Sequence, residues 1–296
     1  GDATLEGAVY GLYARDAIGY PDGSSGVLYP KDAQVATLTT DKAGNASVSG
    51  LYPGKYYVKE ITPPAGYVLD EEEHDVEGSY EGDQVKEINC TITVAENVKK
   101  QPFQLIKAAN NGKTDADLLK GAGFSAYLAS SLSTKEDGSY AFANAVPVVL
   151  TEDGKTEIFT DEKGYACTIP LPYGTYVVRE TTTPHNFKPV ADFTVVISEN
   201  KSEPQVWRVL LDGEFSAKLK IIKQDDETKK LVLVANTEFK IYDLDEGKYV
   251  EQTTTYPSTV THKSYFTDEN GYLILPSALK CGNYRIEEVT APDGYI

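Results

Sequence analysis

Three glutamates follow strand-like runs in this sequence of 296 residues. They stand in three related phrases, "YYVKEITPPAGY", "YVVRETTTPHNF" and "YRIEEVTAPDGY", at Glu60, Glu180 and Glu288. On an alternating strand Glu60 shares a face with Tyr56 and Val58, so a core-facing strand would bury its carboxylate. A buried carboxylate is costly unless it is paired or protonated, and the chemistry open to it is proton transfer. The alternative is that the alternation breaks at the strand end and the glutamate is solvated.

No other pattern predicts turnover of an external substrate. The sequence has no Ser/His/Asp spacing, no cluster of metal ligands and no glycine-rich phosphate loop. Its three cysteines and three histidines are scattered, which favours neither a disulfide scaffold nor a zinc site. The acidic run "DEEEHD" is most simply a solvated loop. We therefore expect no enzyme, no cofactor and no metal.

The glutamate phrase is one of three phrases that recur in the same order. Upstream lie the turn phrases "TDKAG", "TDEKG" and "TDENG", and before them "LEGAVYGLY", "LKGAGFSAY" and "VANTEFKIY". Such repetition predicts three tandem domains on short joints. We place them at residues 1–99, 100–214 and 215–296 and call them the first, second and third repeats.

Within each repeat the period of the hydrophobic pattern is two. "KYYVKE", "CTITV" and "FTVVI" alternate and are rich in β-branched and aromatic residues, which is typical of strands. "TDxxG" predicts a hairpin turn, and the prolines after the glutamate predict a strand exit. Short strands and frequent turns predict an all-β fold of antiparallel β-sandwiches.

The net charge and the hydrophobic content indicate which classes of partner to expect. The formal net charge is −17 and 41% of residues are hydrophobic, so packed cores are expected while nucleic acid is a poor partner. No apolar run is long enough to span a membrane.

The repeated phrases resemble the Cna-B-like (SpaA-type, prealbumin-like) domains of Gram-positive surface adhesins and pilins. The resemblance rests on "LYPGKYYVKEITPPAGY", "LPYGTYVVRETTTPHNF" and "LKCGNYRIEEVTAPDGY". It implies that a lysine on the first strand condenses with an Asn or Asp on the last strand into an isopeptide bond, while the glutamate passes protons between them. Burial favours this chemistry because it shifts the pKa of a lysine toward the neutral amine and raises that of a glutamate.

The resemblance assigns the reactive positions. Glu60, Glu180 and Glu288 match the proton-shuttling glutamate. Lys220 matches the reactive lysine of the third repeat, and Asn97 matches the acceptor of the first. Their partners would lie outside the chain, so we expect the first repeat to lack its first strand and the third its last strands.

The second repeat contains both ends. Its first strand "PFQLIKAAN" places Gln104 where Lys220 stands, and Lys107 would then point to the other face. Asp212 is the candidate acceptor. Since a side-chain amide is no nucleophile, we expect no isopeptide bond here and a hydrogen bond from Gln104 to Glu180. If a bond did form, Lys107 would be the only candidate for its amine.

The function implied is a structural stalk segment of an extracellular, cell-wall-anchored adhesin or pilin, attached covalently through parts outside this chain. The alternative is a module that binds a host protein or glycan, chiefly through an insertion in the second repeat at residues 128–157. "YPK" at residues 29–31 resembles the pilin motif whose lysine a sortase joins to the next subunit, although an ordinary exposed Lys31 is the simpler interpretation.

Overall fold

The computed structural model describes residues 1–20, 22–78, 90–111, 117–206, 208–291 and 295. These residues form short strands and one 3₁₀ turn, Ala129–Ser131, and they contain no α-helix. The all-β expectation is therefore confirmed.

The strands of the first repeat hold the phrases identified in the sequence. The glutamate phrase begins on the longest of them, which ends at Thr62 just before two prolines. They are β1 (Val9–Ala14), β2 (Ile18–Gly19), β3 (Val27–Tyr29), β4 (Gln34–Thr39), β5 (Gly54–Thr62), β6 (Tyr67–Val68), β7 (Glu73–Gly78) and β8 (Asn97–Val98).

The second repeat has two further strands ahead of its counterpart of β1. Its strands are β9 (Lys100–Gln101), β10 (Gln104–Asn110), β11 (Gly123–Leu128), β12 (Ser133–Thr134), β13 (Tyr140–Ala141), β14 (Glu157–Phe159), β15 (Tyr165–Cys167), β16 (Leu171–Pro172), β17 (Gly174–Thr182), β18 (Phe193–Ile197) and β19 (Arg208–Gly213).

The third repeat follows with shorter strands. They are β20 (Ser216–Ala217), β21 (Lys220–Ile222), β22 (Glu238–Asp243), β23 (Lys248–Tyr249), β24 (Gln252–Thr254), β25 (Val260–His262), β26 (Tyr265–Phe266), β27 (Tyr272–Ile274), β28 (Leu279–Lys280) and β29 (Tyr284–Thr290).

The chain divides into two compact units. The first holds residues 1–107, 119–182 and 191–210, and the second holds residues 108–118, 183–190 and 211–296. In the first unit two antiparallel sheets have equivalent orders, β4-β1-β5-β7 and β14-β11-β17-β18. In the second unit β22 pairs with β23, β26 and β29. Each glutamate phrase is thus a strand beside the "LEGAVYGLY"-type strand of its own repeat.

Each of these sheets has an apolar inner face. In the first repeat Tyr10, Leu12, Tyr56 and Val58 belong to one core cluster, which also contains Ala8, Ala14 and Ile18. In the third repeat the corresponding cluster is Phe239, Ile241, Tyr265, Leu273 and Leu275. The period of two therefore places Tyr56 and Val58 together on the core face, as strand geometry requires. Tyr57 between them is also buried, because Tyr13 and Arg15 pack against its ring on the other face.

The "TDxxG" turns form as expected. The Asp161 carboxylate accepts from the backbone N–H groups of Lys163 and Tyr165 at 2.8 and 2.9 Å, and Gly164 takes a φ of 64° that glycine adopts freely. The carboxylates of Asp41 and Asp268 accept hydrogen bonds from backbone N–H groups of their own turns in the same way. The preceding strand can therefore reverse within four residues.

The threonine of this phrase ties two repeated phrases together. The buried Thr160 hydroxyl accepts from Ala122 N–H at 3.0 Å and donates to the Leu119 carbonyl at 2.7 Å. Thr40 and Thr267 make equivalent pairs of bonds in the other repeats. This link explains why the two phrases recur together in the sequence.

One strand expected from alternation is absent. Residues 90–94, "CTITV", form no strand in the structure, although Val94 packs against the core of the first repeat. A strand needs a hydrogen-bonding neighbour. The strand at the corresponding place in the second repeat, β19, lies beside β10, whereas no strand in the described part of the first repeat lies beside residues 90–94.

We expect Thr160→Val to lower the free energy of unfolding by about 1–3 kcal/mol, because the isosteric side chain leaves the buried Ala122 N–H without its acceptor. Scanning calorimetry measures the change. Thr160→Ser, which keeps the hydroxyl, is the control and should lose less. Equal transitions for the valine variant and the parent protein would contradict this role.

Candidate functional site

Each glutamate lies directly opposite an aromatic residue on the neighbouring strand. Glu60 pairs with Tyr10, Glu180 with Phe124, and Glu288 with Phe239. In all three repeats the register slips immediately before the aromatic residue. Such bulges re-aim side chains beside functional sites, so the backbone places the three carboxyls in the same local setting.

Two of the glutamates are buried, as the alternation predicted. As whole residues Glu60 is 3% exposed and Glu180 is 8% exposed, and the side chain of Glu180 has no exposed surface. Glu288 differs, because 34% of its side chain is exposed. The solvated alternative is therefore wrong for the first two repeats and partly right for the third.

The buried Glu180 holds a lysine. Lys107 Nζ lies 2.7 Å from Glu180 Oε2, and neither side chain has any exposed surface. The ammonium also lies 5.5 Å from the centre of the Phe124 ring, within range of a cation–π interaction. A fully buried lysine is rare unless it is paired, so this ion pair is the most unusual feature of the second repeat.

Gln104 does not take the lysine position. Its side-chain amide donates to the Gln205 carbonyl at 2.8 Å, and its oxygen accepts from the Tyr165 hydroxyl at 3.0 Å. The expectations that it bonds Glu180 and that Lys107 faces away are wrong. Leu105 is fully buried, and since side chains alternate along β10, Leu105 and Lys107 share the inner face.

The same correction applies to the third repeat. Lys223, not Lys220, forms the ion pair with Glu288. Lys220 is exposed, with its ammonium 3.8 Å from the centre of the Tyr272 ring. Lys107 and Lys223 are equivalent in the backbone as well, because each donates its N–H to the glycine of its "TDxxG" turn.

The candidate acceptors are placed differently. Asp212 is fully buried on β19, which neighbours β10 in one sheet, whereas Asn97 is exposed on β8. In the first repeat Glu96 holds the position of Asp212. Glu96 lies 11 residues before Lys107, and Asp212 lies 11 residues before Lys223. Each lysine follows two apolar residues, and this constant spacing is the sequence signal that was missed.

Backbone hydrogen bonds support the equivalence of Glu96 and Asp212. Three residues after Glu96, the Lys99 N–H donates to the Gly66 carbonyl. Three residues after Asp212, the Phe215 N–H donates to the Asn186 carbonyl. Gly66 and Asn186 both have a left-handed φ, 90° and 71°, a conformation that Asn tolerates better than most residues. The replacement of Gly-Tyr by Asn-Phe in the second phrase thus keeps the same turn.

Glu60 has a different environment from Glu180. Its Oε2 accepts from the Asp70 N–H at 2.7 Å, and its carboxyl also forms a hydrogen bond with the carboxyl of Glu96. The Tyr10 hydroxyl donates to Glu96 Oε1 at 2.6 Å. Burial is the main cause that raises the pKa of Glu60, and the adjacent Glu96 raises it further. The pKa of Tyr10 is also raised, first by burial and then by its bond to Glu96.

The insertion in the second repeat forms a small hairpin from β12 and β13. Phe142, just after it, packs edge-on against Tyr127 and under the Arg179 guanidinium. The hairpin is thereby anchored to the sheet, and its proposed role in ligand binding stays a prediction. Lys31 is exposed in the turn between β3 and β4, and its role as a pilin lysine is equally untested.

Two other kinds of feature are absent from the residues that the structure describes. In the described part of the chain, no three His, Cys, Asp or Glu side chains are grouped to hold a metal ion. Nor do the residues with assigned structure include a helix long and apolar enough to cross a membrane.

Comparison with protein families matches the SpaA model, described as a prealbumin-like fold domain, in three segments, residues 1–93, 101–208 and 217–296. The chain belongs to the SpaA prealbumin-like domain family. The three matched segments correspond to the three repeats, so the family resemblance and the three-domain sandwich architecture are confirmed. The SpaA repeats contain the glutamates, lysines and acidic residues described above.

The chain is also similar to solved structures. The chain is similar to the Bacillus anthracis TIE protein, with 24% identity and a TM-score of 0.50 over 98% of this chain and 43% of that one. It thus spans less than half of that protein. A shaft pilin of Lactobacillus rhamnosus GG matches at 19% identity and a TM-score of 0.32, over 67% of this chain and 91% of the pilin. The minor pilin of Streptococcus agalactiae matches at 17% and 0.31, over 72% and 85%. A search of curated proteins found no match.

We expect Glu60→Gln to stabilise the first repeat increasingly as the pH rises. The pKa of Glu60 is raised above its ordinary value of 4.5, so the folded state binds a proton that the unfolded state releases, and stability is lost as the pH rises between the two values. Glutamine never ionises and escapes this loss. Melting temperatures of both proteins from pH 4 to pH 8 give the difference.

Glu71→Gln is the matched control for this experiment. It changes the net charge equally at an exposed position and should show no comparable growth with pH. A difference between Glu60→Gln and the parent protein that stays constant across the range would contradict a raised pKa.

Proposed function

We propose that this chain is a stalk segment of a Gram-positive surface adhesin or pilin whose second repeat is closed by an amide bond between Lys107 and Asp212. The observation that carries the proposal is the fully buried Lys107 in contact with the fully buried carboxyl of Glu180. Membership of the SpaA family supports the extracellular setting. The expectation of no bond in the second repeat rested on Gln104, whose side chain lies elsewhere.

The position of Asp212 supports its role as the acceptor. It is 0% exposed and lies on β19, the strand adjacent to β10. An aspartate on the last strand beside a lysine on the first is the pairing that the family resemblance implies. Holding both groups in one folded sheet replaces a bimolecular encounter.

Glu180 is suited to move the protons. Transfer of a proton from Lys107 to Glu180 turns a buried ion pair into two neutral groups, which a water-free site tolerates better. The neutral amine then attacks Cγ of Asp212 and the C–N bond forms. One carboxyl oxygen leaves as water, with Glu180 relaying protons from the nitrogen to the departing oxygen. The reaction consumes no other reagent and turns over once.

The bond would suit a stalk. It joins the first and last strands of the repeat, so a pull along the chain passes through a covalent bond and the sheets between bear little load. By analogy with a disulfide closing a loop of about 100 residues, it would also stabilise the fold on the order of 4–5 kcal/mol. A formal net charge of −17 suits an exposed surface protein and opposes nucleic-acid binding.

We expect the intact, denatured chain to weigh one water less than its sequence requires. Mass spectrometry measures this directly, and peptide mapping should recover a branched peptide containing Lys107 and Asp212. Lys107→Ala, Asp212→Ala and Glu180→Ala should each restore the full mass, the last because the proton relay is lost while both reactants remain.

Lys220→Ala and Gln104→Ala are the matched controls, and both should keep the loss of one water. A parent chain of full mass, or a bond that survives Lys107→Ala, would overturn the proposal. The two results are distinct, since the first denies any bond and the second assigns it to another lysine.

A further inference from the structure

The loop that follows the glutamate strand is the strongest feature that the proposed function leaves unused. It is "PPAGY" in the first repeat and "TPHNF" in the second. Prolines explain why the strand ends there. They do not explain why a residue with a left-handed φ follows at the same place, Gly66 in one loop and Asn186 in the other. The backbone hydrogen bonds of the two loops supply the reason.

At the first joint the loop is one layer of a backbone ladder. The Gly66 carbonyl accepts from the Lys99 N–H at 2.8 Å, and the Lys99 carbonyl accepts from the Tyr173 N–H at 2.8 Å. Lys99 lies at the boundary between the two repeats, and Tyr173 is the third residue of the turn "LPYG" in the second repeat. All three residues belong to one compact unit. The joint therefore bonds the loop of one repeat on one side and a turn of the next repeat on the other.

The same ladder forms at the second joint. The Asn186 carbonyl accepts from the Phe215 N–H, and the Phe215 carbonyl accepts from the Cys281 N–H, both at 3.0 Å. Cys281 is the third residue of the turn "LKCG" in the third repeat. Residues 183–190 accordingly group in one compact unit with residues 211–296, and not with the strand that precedes them. The loop thus packs with the repeat that follows it.

At the first joint the loop and the turn fit each other by size. Gly66 has a φ of 90°, and a Cβ atom there would lie 2.5 Å from Cδ1 and 2.7 Å from Cγ of Tyr173. These atoms form the base of the ring, so the ring could not rotate away without a shift of its own backbone. Glycine permits this close approach because it has no side chain. The Tyr173 ring therefore fills the space that any side chain at position 66 would need.

At the second joint both residues are different. Asn186 carries a side chain at the left-handed position, which asparagine tolerates better than most residues. The residue that faces it across the equivalent ladder is Cys281, whose side chain is much smaller than that of Tyr173. A larger residue in the loop is thus matched by a smaller residue in the turn.

The first repeat also holds the "LPYG" turn through Asp2. The Asp2 N–H donates to the Tyr173 carbonyl at 2.8 Å. The Asp2 carboxylate accepts from the Thr175 N–H at 3.3 Å and from the Ser130 hydroxyl at 2.5 Å. A Cβ atom at Gly174 would lie 2.9 Å from Asp2 Oδ2. The turn is therefore bound to the first repeat through both its backbone and its neighbouring side chains.

We propose that the loop after the glutamate strand is the docking surface for the repeat that follows, and that its left-handed residue selects the next repeat by size. Glycine at position 66 fits the tyrosine of "LPYG", and asparagine at position 186 fits the cysteine of "LKCG". A changed order of repeats would set asparagine against the tyrosine ring and break the ladder, which is a steric form of specificity. The proposal goes beyond the stalk function, since it requires no covalent bond in any repeat.

Hydrogen exchange at the amides of residues 99 and 173, followed by NMR on the whole chain, measures docking at the first joint. All proteins compared carry Ala3→Gly, because the Ala3 Cβ lies 2.8 Å from the Cβ position of residue 66. In this background Gly66→Asn should raise both exchange rates by about tenfold or more, since its Cβ displaces the Tyr173 ring and opens the ladder. Addition of Tyr173→Cys should return both rates to within about threefold of the background protein, because the two changes are coupled.

Gly7→Asn in the same background is the matched control. Gly7 has a φ of 89°, almost that of Gly66, but nothing lies within 4 Å of its Cβ position. The control therefore imposes the same backbone strain without the steric contact, and it should leave the amides of residues 99 and 173 unchanged. Exchange in residues 56–58 of β5 reports whether the first repeat stays folded in each protein.

Three results would overturn the proposal. Unchanged amides in Gly66→Asn would deny that the loop docks the turn. Faster exchange that Tyr173→Cys does not reverse would assign the effect to strain at residue 66 and deny selection by size. Equally faster exchange in residues 56–58 would assign it to unfolding of the first repeat. None of these results bears on the mass of the chain, so this proposal and the proposed amide bond fail separately.

Discussion

The need to neutralise a carboxyl beside a packed sheet interior is the constraint that organises each repeat. A buried charge without a partner is costly, and each repeat meets that cost in its own way. Glu180 pairs with the fully buried Lys107. Glu60 faces another carboxyl, and its pKa is raised. Glu288 pairs with Lys223 and keeps part of its surface in water.

The surrounding backbone is built to hold that carboxyl in place. A bulge precedes its cross-strand aromatic partner in every repeat. A threonine hydroxyl joins the start of the aromatic strand to the "TDxxG" turn in every repeat. In the second and third repeats the carbonyl of the turn glycine accepts a hydrogen bond from the backbone N–H of the lysine. The repeated phrases are therefore parts of one local structure, and this explains why they recur together.

One backbone arrangement supports different chemistry according to a few side chains. Glu96 in the first repeat and Asp212 in the second hold equivalent positions, and their side chains differ by one methylene. A fold of this kind does not dictate a function by itself. The repeats differ in the charged side chains that lie next to the buried glutamate. They also differ in whether a strand equivalent to β10 supplies one of those side chains.

The sequence by itself determined the repeats, the strand character and the turns, because these follow from local periodicity and turn chemistry. It placed Glu60 on the same face as Tyr56 and Val58, but the packing of the sheet decided that this face is buried. It did not determine which lysine meets the glutamate. Gln104 and Lys107 differ by three positions, so they lie on opposite faces of β10, and only the packing of Leu105 into the core sets which face is inward. The same one-residue sensitivity separates the exposed Asn97 from Glu96, which accepts a hydrogen bond from the Tyr10 hydroxyl. Strand phase is a tertiary property, since it depends on the neighbour against which the strand packs.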